Sequence, residues 1–309
     1  MSIFAGITDF TMEVRAKKAL GQHFLTDQRI AQAIVDALTL DWSEAMPASA
    51  GRPAPELSEK VGKGSMAAGG SGESCSPVLE VGPGMGVLTQ YLLQREDIDL
   101  KLVEIDGESV EYLLTHFPGM QGRLLQADFL RLPLERIFPG KFAVIGNFPY
   151  NISSQIFFKI LDYRDSIPEV VCMIQKEVAE RIAEGPGSKT YGILSVLLQA
   201  WYDIEFLFGV GPGSFAPPPK VDSAVIRLKR NGRTSLGCDE SLFKAVVKTA
   251  FGQRRKMMRN PLKPLIAAKA AREGWNDEEK ASFTADPVFE RRPETLSVEA
   301  FIDLTNLLA

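Results

Sequence analysis

Apolar residues follow two rhythms along this chain. Short unbroken apolar runs alternate with stretches in which apolar side chains recur every three or four residues. The first rhythm reads as strands buried on both faces, the second as amphipathic helices. Residues 78–81, 100–105, 124–127, 142–146 and 170–174 supply five such strands in chain order. Between and around them, helical spacing predicts helices over residues 85–93, 155–161, 177–183 and 191–201, with Ser153 as a cap for the second. An earlier helix carries Ile30, Ile34, Val35 and Leu38 on one face, with Thr26 or Asp27 as its cap. Residues 204–210 and 221–228 are two further strands with no helix between them, which predicts an antiparallel hairpin at a sheet edge. The fold class is therefore α/β: a doubly wound, mostly parallel sheet with an antiparallel edge hairpin.

Both rhythms lapse in three places. Residues 1–14 read as a loose tail. Residues 43–77 are rich in Gly, Ser, Pro, Ala and Glu and read as a flexible insertion, long for a loop inside a domain. Residues 231–237 read as a linker. Beyond it only helical spacing returns, over 241–251, 262–271 and 298–308, with Ser297 placed to cap the last. The expected organisation is a tail, a main domain over 15–232 that carries the insertion, and a small all-helical domain over 233–309.

Charge changes the picture more than composition does. The 309 residues carry a net charge of −4, which by itself argues against a polyanion partner. The distribution reverses that argument. From Lys220 to Glu273 there are fourteen Lys or Arg and four Asp or Glu, a net of +10, so the remainder carries −14. The dense group Arg254-Arg255-Lys256, with Arg259 and Lys263, suits a polyanion such as RNA, although basic residues on a helix are also ordinary solvated charges. Three widely spaced cysteines, Cys75, Cys172 and Cys238, point to a reducing compartment. Only two histidines, His23 and His116, make a His/Cys metal site an unexpected feature. No apolar run is long enough to span a bilayer, and Asp9 and Glu13 break up any signal-peptide pattern. A cytoplasmic monomer without membrane or metal partners is expected, with Met12 a second candidate start.

The candidate chemistry sits at the strand ends. Val81-Gly82-Pro83-Gly84-Met85-Gly86 follows a strand and opens a helix, a turn whose backbone can approach a ligand closely or simply be tight. Glu104 ends the next strand, where a carboxylate can accept both hydroxyls of a ribose. Asp128 ends the third, where it can accept from an adenine amine or serve as a turn cap. Together they predict an adenosine across the sheet's C-terminal edge. Asn147-Phe148-Pro149-Tyr150 ends the fourth strand. An exocyclic adenine amine is a poor nucleophile, and two acceptors aimed at its hydrogens draw it toward a tetrahedral, more reactive geometry. The Asn147 side-chain oxygen and the Phe148 carbonyl can be those acceptors. Pro149 fixes the turn, and Tyr150 can stack on an unstacked base. NAD also fits Gly82 and Glu104; the tetrad favours S-adenosylmethionine, whose methyl it would bring in line with an amine. An Asn-x-Pro turn is also an ordinary way to leave a strand.

With these residues in place the chain resembles the ribosomal RNA adenine N6,N6-dimethyltransferases of the KsgA/RsmA type, relatives of the erythromycin-resistance methyltransferases. The resemblance runs from about Lys17 to the C-terminus, apart from the insertion. It rests on Lys18-Ala19-Leu20-Gly21-Gln22-His23-Phe24-Leu25, Glu80 to Gly86, Asn147 to Ser153, Phe215-Ala216-Pro217-Pro218-Pro219-Lys220-Val221-Asp222-Ser223 and Phe251-Gly252-Gln253-Arg254-Arg255-Lys256, in that order. It implies a Rossmann-like fold that binds S-adenosylmethionine through His23, Leu25, Gly82, Gly84, Glu104, Asp128 and Asn147. The target-base pocket would comprise Asn147, Phe148, Pro149, Tyr150 and Phe215, and Lys220, Arg254, Arg255 and Lys256 would contact RNA. His23 and Phe215 have plainer readings, as a cap and as a core anchor. The substrate implied is a pair of adjacent adenosines in the 3′-terminal hairpin of small-subunit (16S) rRNA, inside an immature subunit, each dimethylated. Two alternatives stand beside it: an enzyme acting on large-subunit rRNA, as the resistance methyltransferases do, and an assembly checkpoint factor whose methylation is secondary. This chain has Phe148 where the family more often carries Leu, and His23 where Asn is commoner.

Overall fold

The computed structural model describes residues 14–17, 20–42 and 75–309. The predicted tail and insertion thus lie outside the described residues, except for Val14 and for residues 75–77, of which Ser76 and Pro77 already belong to a strand. Seven strands form the main sheet: β2 (Ser76–Val81), β3 (Ile98–Glu104), β4 (Leu124–Gln126), β5 (Ala143–Asn147), β6 (Glu169–Gln175), β7 (Tyr202–Val210) and β9 (Ser223–Arg230), in the spatial order β4-β3-β2-β5-β6-β9-β7. The first five run parallel, and β9 is antiparallel to both β6 and β7, so β7 is the edge of the expected hairpin. Two short strands, β1 (Phe24–Leu25) and β8 (Phe215–Ala216), pair antiparallel apart from this sheet.

Burial on both faces explains the unbroken apolar runs. Val170, Cys172 and Ile174 of β6 face one core and Val171 and Met173 face the other, the period-two alternation of a pleated strand. The first core extends without a break into the C-terminal helices. Phe243, Val246, Val247 and Ala250 of α7 (Glu240–Gly252) and Phe301 and Leu304 of α10 (Val298–Leu308) belong to the same cluster as Leu197 of α6 (Ile193–Gln199) and the sheet. An Arg164–Glu240 pair reinforces this seam: the guanidinium donates to both carboxylate oxygens at 2.8 and 3.0 Å and lies 4.0 Å from the Trp201 ring.

Several predicted boundaries move. The helix expected over 85–93 is mostly turn, with one short helix, α2 (Thr89–Leu92), because Gly84 and Gly86 hold positive φ. A helix not singled out in the sequence, α3 (Gly107–His116), links β3 to β4. Ser153 does not cap a helix from outside; it is the first residue of α4 (Ser153–Asp162), and its hydroxyl donates to the Tyr150 carbonyl. The basic triplet 254–256 is a turn after α7, since Gly252 and Gln253 end the helix. One helix of the C-terminal part, α9 (Asp277–Thr284), escaped the apolar-period reading because none of its residues is buried. Asn276 and Glu279 form its capping box. The other C-terminal helix, α8 (Lys263–Glu273), lies near its expected place, and Ser297 caps α10 as expected.

The N-terminal segment does most to position the cavity residues. Asp27 caps α1 (Gln28–Asp36), and Ala31, Ile34 and Val35 of that helix bury against the second core. The segment ends at Leu40, whose φ of 56° is unfavourable for a residue with a Cβ. The buried Glu169 carboxylate at the start of β6 holds that bend, accepting from the Thr39 and Leu40 amides at 3.0 and 2.8 Å and from the Thr39 hydroxyl at 3.0 Å. Replacing Glu169 by Ala leaves those donors without their acceptor and is expected to destabilise the fold by about 1–3 kcal/mol in a denaturant titration. A change within error would show that the bend holds itself.

Candidate active site

The chain leaves β2 toward β3 on one side, whereas β5 continues to β6 on the other, so the strand order reverses between β2 and β5. Such a reversal opens a crevice at the C-terminal ends of parallel strands. A cavity of about 260 Å³ occupies that place, lined by the residues that come after β2, β3, β4 and β5 and by residues 20–25. Glycine is required where the two central strands meet. A Cβ on Gly146 would stand 2.4 Å from the Val81 carbonyl oxygen. Gly82, at φ 69°, faces open space, with the Asn147 carbonyl oxygen 4.0 Å from where its Cβ would be. The glycine turn and the tetrad are therefore neighbours, as the predicted chemistry demands.

Glu104 ties the glycine turn to the end of β3. It is 4% exposed, and its carboxylate accepts from the amides of Gly84 at 3.1 Å and of Ile105 and Asp106 at 2.9 Å each. Burial pushes its carboxyl above the usual range, against the pull of those three N–H groups. The wall opposite is the strap before β1. Lys17 donates to Asp106 at 2.5 Å and reaches Glu108 at 3.0 Å, and Gln22 donates to the second Asp106 oxygen at 3.3 Å. Burial raises the Asp106 carboxyl, but the hydrogen bonds from Lys17 and Gln22 outweigh it and hold the group low. No sequence signal had singled out this anchor.

Asn147 is the centre of the arrangement. Its Nδ2 donates to the backbone carbonyl of His23 at 3.0 Å. A carbonyl can only accept, so this bond fixes which end of the amide is which. Oδ1 accepts no hydrogen bond from a described residue, and neither does the Phe148 carbonyl. The Phe148 ring is buried edge-on against Phe157, filling the core behind the tetrad. The Tyr150 hydroxyl bonds to Ser223, and its ring stacks on His23 with centroids 5.5 Å apart and planes at 26°. His23 Nδ1 pairs with the Pro217 carbonyl at 2.9 Å, so that nitrogen carries the ring proton.

The cavity thus brings together His23, Leu25, Gly82, Gly84, Glu104, Asp128, Asn147, Phe148, Pro149 and Tyr150. It does not include Phe215. That ring is 4% exposed and packs in the second core, opposite Leu25 in the β1–β8 pair. Asp128 lines the cavity and also accepts from the Leu130 amide at 2.9 Å, as a turn cap does. Lys220, Arg255 and Lys256 are exposed and do not line the cavity. Arg254 is half-buried and donates to the Ser188 carbonyl at 3.1 Å, so it also braces the loop between α5 (Lys176–Ala183) and α6.

The profile of the ribosomal RNA adenine dimethylase family matches residues 13–282. The chain belongs to that family. It is 53% identical over 292 residues to the ribosomal RNA small subunit methyltransferase A of Parabacteroides distasonis, covering 94% of this chain and 93% of that protein. The protein of the same name from Cytophaga hutchinsonii is 51% identical, covering 96% and 98%. Among solved structures, a dimethyladenosine transferase from Plasmodium falciparum superposes with a TM-score of 0.63 at 24% identity, covering 75% of this chain and 89% of that one. The 23S rRNA methyltransferase ErmE does so at 0.57 and 23%, covering 92% and 99%. At those identities the two structures share the fold with this chain. The family agrees with the expected enzyme class, an rRNA adenine dimethyltransferase, and the fold with the expected α/β sheet followed by helices.

One cavity residue lacked an assigned role in the sequence. Glu80 lies within β2 between buried Leu79 and Val81, and it is 1% exposed. The signal was present: an acidic residue inside an apolar strand, two places before the glycine turn. Burial pushes its carboxyl up to about 8; a 2.7 Å hydrogen bond from the Thr89 hydroxyl opposes the rise and the nearby Glu104 charge adds to it. The folded protein therefore keeps a proton that the unfolded chain releases in the ordinary carboxylate range. The associated stability is complete at low pH and is lost as pH rises toward 8. In thermal melts from about pH 5 to pH 8, the ligand-free protein should lose Tm relative to Glu80→Gln, whose amide cannot ionise. Parallel curves would place Glu80 in the ordinary range.

Proposed function

We propose that this enzyme uses S-adenosylmethionine to dimethylate N6 of two adjacent adenosines in the 3′-terminal hairpin of small-subunit rRNA. The observation that carries the reading is the Asn147–His23 hydrogen bond, which leaves Asn147 Oδ1 as an unclaimed acceptor beside the glycine turn. The cavity's charge supports the cofactor. Glu80, Glu104 and Asp128 line it, and among the described residues no Lys or Arg does. A sulfonium cation suits three carboxyl groups; the pyrophosphate of NAD does not. Open space beside Gly82 fits close backbone approach by a ligand, and Glu104 Oε2, which takes only the Gly84 amide, retains acceptor capacity for a ribose hydroxyl.

When bound, the cofactor supplies an electrophilic methyl group. The rest falls to the chain. Asn147 Oδ1 and the Phe148 carbonyl accept the two amine hydrogens and turn the nitrogen lone pair toward the methyl. Tyr150, held by Ser223, offers its ring to the base. The amine becomes acidic only after it has attacked, so its proton leaves without a strong base. The small-subunit assignment rests on the relatives at about half identity over nearly the whole chain, both named for that subunit, whereas ErmE shares the fold at 23%. On this reading the substrate is an immature subunit, met in the cytoplasm by an enzyme that works as a monomer. Exposed Lys220, Arg255 and Lys256 on the +10 segment are its phosphate contacts, with Arg254 adding charge while bracing its loop.

Asn147→Ala is expected to fold and to bind cofactor while losing on the order of 3 kcal/mol of transition-state stabilisation. Mass spectrometry of rRNA from immature small subunits incubated with the purified variant reads the loss directly. Near-normal dimethyladenosine yield would reject the assigned role. Replacing Arg255 and Lys256 together by Ala should flatten the dependence of subunit binding on log salt by roughly one unit for each phosphate no longer neutralised. Cofactor affinity should not change. Filter binding across a salt series with equal slopes would make the turn an ordinary solvated surface.

A further inference from the structure

Lys159 does not line the cavity, yet it holds a part of the wall that does. It lies on α4, three residues beyond Ile156, which lines the cavity from the same helix. Its Nζ donates to the Leu130 carbonyl at 3.1 Å and to the Leu132 carbonyl at 2.5 Å. It also stands over the Phe129 and Tyr163 rings, 5.4 and 5.6 Å from their centroids. Asp128, Phe129 and Leu130 line the cavity, so Lys159 grips this wall from behind.

The wall has little other support. It follows β4, a three-residue strand at the edge of the sheet, paired with β3 alone. Phe129 anchors it in the first core. The turn winds on Asp128, whose carbonyl accepts from the Arg131 and Leu132 amides at 3.0 and 3.1 Å and whose side chain accepts from the Leu130 amide. The carbonyls of half-buried Leu130 and Leu132 accept from no backbone amide among the described residues; Lys159 is their donor. Removing it would leave two partly desolvated acceptors unpaired, which the turn can relieve only by moving. The ion pair of Asp128 with Arg131, at 3.5 Å, involves a side chain 89% exposed and contributes little.

On the reading proposed for this site, the ligand runs along the C-terminal edge of the sheet. Methyl transfer belongs at Asn147 on β5 and the ribose at Glu104 on β3, with the glycine turn of β2 between them. The adenine then falls beyond β3, at the end of β4, where Asp128 can accept from its amine. We propose that Lys159 is a positioning residue for this base. By holding the Leu130 and Leu132 carbonyls it sets where Asp128 stands, and so how strongly the site prefers adenine to a base without the amine. Because α4 starts directly after the tetrad, one helix ties the methyl-transfer turn to the wall that selects the base.

Two ligands that differ only at the base test this. S-inosylhomocysteine has a carbonyl oxygen where S-adenosylhomocysteine has the amine. Calorimetry of the whole protein with each gives the preference for adenine, and methylation of immature small subunits gives kcat and the KM for S-adenosylmethionine. The wild type should prefer the adenine ligand. Lys159→Met keeps the stem and removes the donor. It should lose roughly three- to tenfold of that preference and raise the KM, with kcat at saturating cofactor within about twofold of wild type. Lys159→Arg, which can still donate to two carbonyls, should keep most of the preference. Lys159→Gln reads the same ratio if the methionine variant does not fold. An unchanged preference in a folded variant without the lysine donor overturns this inference and leaves the cofactor reading intact. Equal loss of affinity for both ligands, with kcat falling in parallel, makes Lys159 a structural support alone and also overturns it. A wild type that binds neither ligand overturns the cofactor reading, and one that binds both equally removes Asp128 from the base; the inference falls with either.

Discussion

The reversal of strand order between β2 and β5 is the constraint on which the site depends. Parallel neighbours whose chains depart to opposite sides cannot cover their own C-terminal ends. The uncovered place is where the glycine turn and the tetrad stand together, and it exists only because β2 and β5 approach closely. Gly146 makes that approach possible, since any larger residue would meet the Val81 carbonyl. The polar groups of the site then attach to fixed points. Glu104 holds the turn through the Gly84 amide, and His23 holds the amide of Asn147.

A second device closes the wall opposite the sheet. Residues 20–25 line the cavity although they come from the start of the chain, far in sequence from the strand ends they face. Three ties keep them there: the Lys17 and Gln22 contacts to Asp106, the β1–β8 pairing, and the Asn147 bond to the His23 carbonyl. The same segment continues into α1 and ends at the bend held by Glu169 of β6. Packing of one N-terminal segment therefore sets both the shape of the cavity and the orientation of its central amide.

Electrostatically the chain is divided. The cavity carries carboxyl groups, one of them deep enough to stay protonated near neutrality, while the excess of Lys and Arg collects in the segment 220–273. An acidic cavity suits a cationic cofactor and a basic surface suits a polyanion. Low net charge conceals the arrangement, because the two halves nearly cancel.

By itself the sequence determined the order and kind of the main elements, the family, and most residues of the cavity. Those features are local or periodic. An apolar run buried on both faces, a glycine turn after a strand and an Asn-x-Pro-Tyr exit each leave a compact record in neighbouring residues. Tertiary structure decided what depends on partners distant in the chain. Phe215 went to the core because β8 pairs with β1, a contact across nearly two hundred positions. Arg254 acquired a bracing role because Ser188 lies beside it. The helix α9 hid from an apolar-period reading because none of its residues is fully buried, and the glycines at 84 and 86 shortened α2 through positive φ. Which end of the Asn147 amide faces the cavity is set by one carbonyl from residue 23, and the protonation of Glu80 is set by burial beneath Thr89 and beside Glu104. Dielectric environment and hydrogen-bond partners are properties of packed space, so a one-dimensional pattern can name these side chains but cannot assign their state.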